Sequence, residues 1–209
     1  MAGDEHFERA AATWDQVERR VTLAHVVARA IAARVALTRD QSVLDFGCGT
    51  GLVTLELAPR VGTMAAADTS PAMLATLAGK ARALGIPVAL RELDTAGRID
   101  LGGPYDLIVS SMTLHHVADV PALFGRFARS LGPAGRVALA DLDAEDGSFH
   151  APGASALHRG FSREMVRGWL ADAGFGEIHL ETAAVTVRQG KEYPVFLATA
   201  RRGEISRAG

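Results

Sequence analysis

Three carboxylates, Asp45, Asp68 and Asp94, each close a short apolar run, and glycines at 47, 49 and 51 follow the first of them in the segment VLDFGCGTG. Glycine at alternate positions lets a chain turn sharply and lets backbone N–H groups approach a ligand with no Cβ in the way. A dinucleotide-binding loop reads G-x-G-x-x-G. Here the spacing is G-x-G-x-G, and Leu52 occupies the place of the last glycine. The preceding Asp45 would repel a pyrophosphate and attract an ammonium group. The expected ligand is therefore a nucleoside with a cationic end. S-adenosylmethionine, with its adenosine, sulfonium and amino-acid ammonium, fits. Asp68 is placed to accept from both ribose hydroxyls, and Asp94 from an adenine amino group. Each acid alone reads as a turn former; together with the glycine spacing they read as a site.

Such a site needs a sheet to carry it. In an open parallel sheet, ligands bind beyond the carboxyl ends of the strands. The chain supplies short apolar runs alternating with helical patterns: SVLDF, then a helix from Thr50 to Arg60, then a strand over 63–68. Ser70-Pro71 opens a helix that Gly85 ends, with serine as N-cap and proline at the first helical position. Strands follow at 88–93, 105–110 and 136–141, with a helix between the last two whose stripe is Leu123, Phe124, Phe127 and Leu131. Ser162 caps a late helix, and two closing strands are expected over 177–182 and 195–200. Alternation of this kind predicts an α/β fold: a Rossmann-like, mostly parallel sheet with helices on both faces. Residues 1–36, with Leu23, Val27, Ile31 and Val35 on one stripe, read as an N-terminal helical cap on the domain over 37–203, and 204–209 as a tail.

Composition narrows the function class. The 209 residues carry 22 Lys+Arg against 24 Asp+Glu, a net charge of −2, which does not suit a surface that tracks nucleic-acid phosphates. The single cysteine, Cys48, allows no internal disulfide and suits a reducing compartment. The charged start MAGDEHFERA does not read as a signal peptide, and no apolar run approaches a membrane span. A cytoplasmic protein is expected, with no nucleic-acid or membrane partner and an open oligomeric state.

The motifs together resemble the class I S-adenosylmethionine-dependent methyltransferases of the small-molecule type, which includes the ubiquinone- and menaquinone-biosynthesis enzymes. VLDFGCGTG resembles the family's first motif, AADTSPAML its second, YDLIVSSMTLHHV the fourth-strand motif and LGPAGRVALAD the fifth-strand region. GFSREMVRGWLADAGF resembles the late helix, and FERAAATWD the opening of this subgroup. The resemblance implies seven strands, the last antiparallel and inserted beside the sixth. It also implies that Asp45, Gly47, Cys48 and Gly49 face the methionine part of the cofactor and that Asp68 holds the ribose. Thr69 and Met73 would lie near the adenine, with Asp94 and Thr95 flanking its ring. Ser110 and the segment to His115 would pass near the methyl sulfonium, and Trp14 would close over the cofactor.

Methyl transfer is an in-line displacement at an activated carbon, so the protein must mainly align the reactants and exclude water. A base is needed only where the acceptor loses a proton. Candidates are His115 and, in the loop DLDAEDGSFH, His150, with His158 beyond it. No metal is expected, because Ser110-Ser111 stand where metal-dependent relatives carry a carboxylate. SSMT differs from the N/D-P-P-Y motif of nucleic-acid amino methyltransferases, and a small organic acceptor remains. Two other readings compete: a non-catalytic S-adenosylmethionine-binding scaffold of the same fold, and a nicotinamide oxidoreductase, against which Leu52 and Asp45 argue.

Overall fold

The computed structural model describes residues 2–94, 100–150 and 156–203. Thr95 and the tail at 204–209 lie outside the described residues. The seven strands are β1 (Ser42–Phe46), β2 (Thr63–Asp68), β3 (Ala89–Glu92), β4 (Tyr105–Ser111), β5 (Leu131–Leu142), β6 (Phe175–Arg188) and β7 (Lys191–Arg202). They form one sheet in the order β3-β2-β1-β4-β5-β7-β6. The first five are parallel, while β7 runs antiparallel to both β5 and β6.

The apolar strand runs are continuous because alternate side chains feed opposite faces. Leu44, Ile108, Val137, Leu139, Phe196 and Ala198 pack on one side against Phe124 and Phe127 of α5 (Val120–Ser130) and Leu170 of α6 (Arg163–Asp172). Val43, Leu107, Val109, Ala138 and Leu197 face the other side. There they meet Val27 and Ile31 of α2 (Glu18–Arg34) and Leu57 of α3 (Leu52–Leu57). Helix α4 (Pro71–Leu84) adds Leu74 and Leu77 over Ala66 of β2. Helix α1 (Ala2–Ala10) and a 3₁₀ turn over Ala11–Gln16 precede α2. Among the described residues, no helix is long and apolar enough to cross a membrane.

Local chemistry sets several boundaries. The Ser70, Asp119 and Ser162 side chains accept from the backbone N–H groups of Met73, Ala122 and Met165 and so cap α4, α5 and α6. Helix α3 starts at Leu52 rather than Thr50, because Gly51 caps it in the left-handed region at φ 82°. It gives way to a 3₁₀ turn over Ala58–Arg60, where Pro59 lacks the N–H that would continue it. The closing strands are also much longer than the sequence suggests. Gln189 and Gly190, both at positive φ, join them in a tight hairpin. The outer half of β6 is an edge strand: Thr186 is buried while Val185 and Val187 are exposed, and hairpin hydrogen bonds to β7 rather than a core on both faces hold it.

Candidate active site

The ends of β1, β2, β4 and β5 converge on the glycine loop. Gly47, at φ 70°, packs so close to Thr113 that a Cβ would lie 2.2 Å from its methyl, and a Cβ on Gly51 would lie 2.2 Å from Leu77. At Gly49 a Cβ would meet nothing within 4 Å, so this glycine faces open space. The loop's N–H groups are engaged within the protein, contrary to the ligand-facing role read from the sequence. Gly47 and Cys48 donate to the Ala67 carbonyl, Gly51 to that of Cys48, and Gly49 to Asp68 Oδ2 at 2.8 Å. What the loop presents outward is a surface without side chains, backed by carboxylates.

Asp68 is fixed by two backbone donors, Gly49 and Ser70, the latter at 2.9 Å. A carboxylate only accepts hydrogen bonds, the chemistry that ribose hydroxyl donors require. Asp45 sits behind the loop, 1% exposed, with Oδ2 accepting from Thr54 Oγ1 at 2.6 Å. Burial pushes its pKa up to about 7; the Thr54 bond opposes that shift, and the charge of Asp68 adds to it. Cys48 is buried, and burial, then Asp45 and Asp68, hold its thiol well above the ordinary range. It is a small loop residue in the protonated form.

The adenine-side candidates are spread out. Thr69 follows β2 directly, and Asp94 is exposed just beyond β3. Met73 lies in the first turn of α4, but its side chain is 1% exposed. The Ser110 hydroxyl donates to the Phe46 carbonyl at 2.8 Å and ties β4 to β1. Met112, just past β4, holds a positive φ of 54°, a strained conformation of the kind that clusters at functional sites.

His115 and Asp141 form a buried pair, 2% and 0% exposed, with Nδ1···Oδ1 at 2.6 Å. Burial alone would raise the Asp141 pKa, but the charge and hydrogen bond of His115 and the N–H groups of Leu142 and His115 outweigh it and lower it. With Nδ1–H donating to the carboxylate, a neutral His115 carries its lone pair on Nε2. The rings of His116 and His150 lie 4.1 and 4.8 Å from that of His115. His150 Nε2 is buried without a hydrogen-bond partner among the described residues. Burial first, then the charge of His115, lowers the His150 pKa to about 4. His158 Nε2 is engaged by the Val117 carbonyl at 2.8 Å. The acidic loop is largely structural: Asp143 takes a two-pronged bond from Arg163, and Asp146 pairs with Lys191. Among the described residues, no His, Cys, Asp or Glu cluster is arranged to hold a metal.

The N-terminal elements strap this site in contacts that sequence reasoning missed. Glu8 accepts from Ser70 Oγ at 2.5 Å and from the Ala72 N–H at 3.2 Å. Asp15 accepts from Thr50 Oγ1 at 2.6 Å and pairs with Lys80 at 2.7 Å. The Phe7 ring lies 5.7 Å from that of Trp14 and 5.1 Å from that of His116. Glu8 and Asp15 both fall inside FERAAATWD, where the motif marks the segment but not the partners of its acids; for Thr54 the sequence offers no signal.

Comparison with known proteins agrees with this architecture. A family described as a methyltransferase domain matches residues 15–180. An uncharacterized methyltransferase of Schizosaccharomyces pombe is 32% identical over 117 residues, 52% of this chain and 41% of that protein. A ubiquinone biosynthesis O-methyltransferase of Methylobacterium nodulans is 26% identical over 182 residues, 78% of this chain and 69% of that one. The magnesium protoporphyrin IX methyltransferase of Synechocystis, solved with bound S-adenosylhomocysteine, superposes with a TM-score of 0.67 at 22% identity. That match covers 88% of this chain and 84% of that one. The chain spans 29% to 48% of the length of three curated relatives it matches.

Proposed function

Since the chain belongs to the methyltransferase domain family, we propose that it transfers a methyl group from S-adenosylmethionine to a small-molecule acceptor. The observation that carries this reading is the meeting of the open, carboxylate-backed glycine loop with the buried His115–Asp141 pair. In this reading the side-chain-free surface over Gly47, Cys48 and Gly49 receives the methionine part, with Asp45 behind it supplying negative charge, and Asp68 holds the ribose. Thr69, Met73 and Asp94 border the adenine, and Ser110 supports the floor. Trp14 closes the site from the N-terminal cap. The donor set fits the cofactor: carboxylates for an ammonium and for hydroxyls, and a side-chain-free face at Gly49. A cytoplasmic setting and the absence of a nucleic-acid partner belong to the same reading.

Bound S-adenosylmethionine supplies a methyl on a positively charged sulfur, an electrophile that is already activated. The chain's own residues align the acceptor and exclude water. Where the acceptor must lose a proton, His115 Nε2 takes it and Asp141 stabilises the imidazolium, a division of labour worth about 10²- to 10⁴-fold in rate. His150, with a pKa near 4, is too weak a base for that step near neutral pH. It stays neutral and shapes the acceptor side.

The test is incubation with methyl-labelled cofactor and a fractionated metabolite extract, followed by His115→Ala on the acceptor so found. Turnover should fall by about 10²- to 10⁴-fold while affinity for S-adenosylhomocysteine changes by less than about twofold. Unchanged turnover would remove His115 from the mechanism. The burial of His115, 2% exposed, favours the second reading, a cofactor-binding scaffold without turnover. Tight S-adenosylhomocysteine binding with no label transferred would select it.

A further inference from the structure

Arg19 and Arg20 of the first turn of α2 and Arg188 at the end of β6 form a half-buried cluster of three cations. The Arg19 and Arg188 guanidiniums lie 5.4 and 5.8 Å from the centroid of one ring, that of Phe149. Arg20 lies 3.7 Å over Trp14. Among the described residues, none of the three has a carboxylate within ion-pair range, whereas Arg34, Arg163, Arg201, Lys80 and Lys191 each have one. Their hydrogen bonds go to backbone carbonyls, from Arg20 to Trp14 and from Arg188 to Phe149. Burial, then mutual repulsion, makes Arg19 and Arg20 harder to keep protonated than free arginines, yet a guanidinium does not give up its proton in proteins. Gathering three partly desolvated cations is unfavourable unless an anion arrives.

The cluster adjoins the acceptor side. From the dyad the ring contacts run from His115 to His150 at 4.8 Å and on to Phe149 at 4.9 Å, the ring the arginines flank. Two carboxylates belong to the same segments, and neither forms an ion pair with the three arginines: Glu145 caps the N–H groups of Gly147 and Phe149 with Oε2 while its buried Oε1 has no hydrogen-bond partner among the described residues, and Glu18 is exposed. A groove of about 370 Å³ leads away from Arg19 between α2 and β6, floored by Leu23 and rimmed by Val26, Val185 and Val187.

We propose that Arg19, Arg20 and Arg188 anchor an anionic group of the methyl acceptor, a carboxylate or a phosphate, opposite the end that is methylated. This rests on the small-molecule reading above. Guanidiniums draw charge from an anion and weaken it as a nucleophile, so the anchored group is not the reacting one. The acceptor is thus bifunctional, with an anion on the arginines and a hydroxyl or amine directed to the histidines. Planar, two-pronged donors suit either anion.

The experiment is titration calorimetry on the full chain, with and without S-adenosylhomocysteine. The probes are 3-hydroxybenzoate and phenyl phosphate against the neutral 3-hydroxybenzamide and phenol. The anions should bind at least about tenfold more tightly than the neutral compounds, an advantage that shrinks as salt rises. The tighter anion identifies the headgroup. The double variant Arg19→Gln/Arg188→Gln should lose about 10- to 100-fold in anion affinity. Should it melt early, Arg20→Gln and the salt dependence of the unaltered protein still decide. Equal binding of anions and neutral compounds, or binding of neither, overturns the proposal even if S-adenosylhomocysteine binds normally. Selective anion binding without S-adenosylhomocysteine binding upholds the arginine site and removes the cofactor reading instead.

Discussion

Protonation of Asp45 should control cofactor affinity. Its carboxyl is fully buried, and burial, opposed by the Thr54 hydroxyl and reinforced by Asp68, sets its pKa at about 7 in the free protein. A bound cation lowers a neighbouring carboxylate's pKa by about 1–3 units, so binding near neutral pH releases a proton. Linkage then fixes the size of the effect: the dissociation constant should be about five- to tenfold weaker at pH 6 than at pH 8. Calorimetry with S-adenosylhomocysteine in two buffers of different ionisation enthalpy reads both the affinity and the released proton. Asp45→Asn keeps the acceptor for Thr54 and should bind more weakly than the native protein at pH 8, with a flat profile. The sign for folding is opposite. A carboxyl whose pKa rises from 3.8 to about 7 stabilises the folded state fully below pH 3.8, and that contribution, about 4 kcal/mol, is lost as pH rises through 7. Asp45→Asn should therefore melt no lower than the native protein at pH 8. An affinity that is flat between pH 6 and 8 in the native protein, or an unchanged slope in Asp45→Asn, would refute the assignment of the titration to this residue.

Other outcomes follow from packing and capping. Gly51→Ala forces a Cβ to 2.2 Å from Leu77 at a φ of 82°; it should cost about 1–3 kcal/mol, read as a lowered denaturant midpoint. Ser70→Ala removes both the cap on α4 and the hydroxyl that donates to Glu8. A loss of about 1 kcal/mol is expected, accompanied by faster amide exchange in residues 6–16. Exchange in that segment unchanged from the native protein would mean that Glu8 does not hold the strap.

Much of the architecture was legible in the chain because it is written in local chemistry. Apolar runs such as SVLDF and YDLIVS, the serine and aspartate caps, and the glycine spacing after Asp45 announce a parallel sheet and the loop at its carboxyl edge. The full length of β6 is only partly written in the chain. Ala183-Ala184-Val185-Thr186-Val187 has strand-forming residue types, but its pairing is decided by hydrogen bonds to β7, which short-range pattern does not record.

What the sequence determined by itself is therefore the set of groups and the sheet that carries them. Side-chain types and short-range spacing are enough for that, since turns, caps and strand ends depend on neighbours a few residues away. Tertiary structure alone decided what each group does. Folding joins Asp141 to His115, Thr54 to Asp45, Asp15 to Thr50, and Arg188 to the ring that Arg19 also faces. Each pairing sets a tautomer, a pKa or a local field through burial and distance, and neither quantity can be read along the chain.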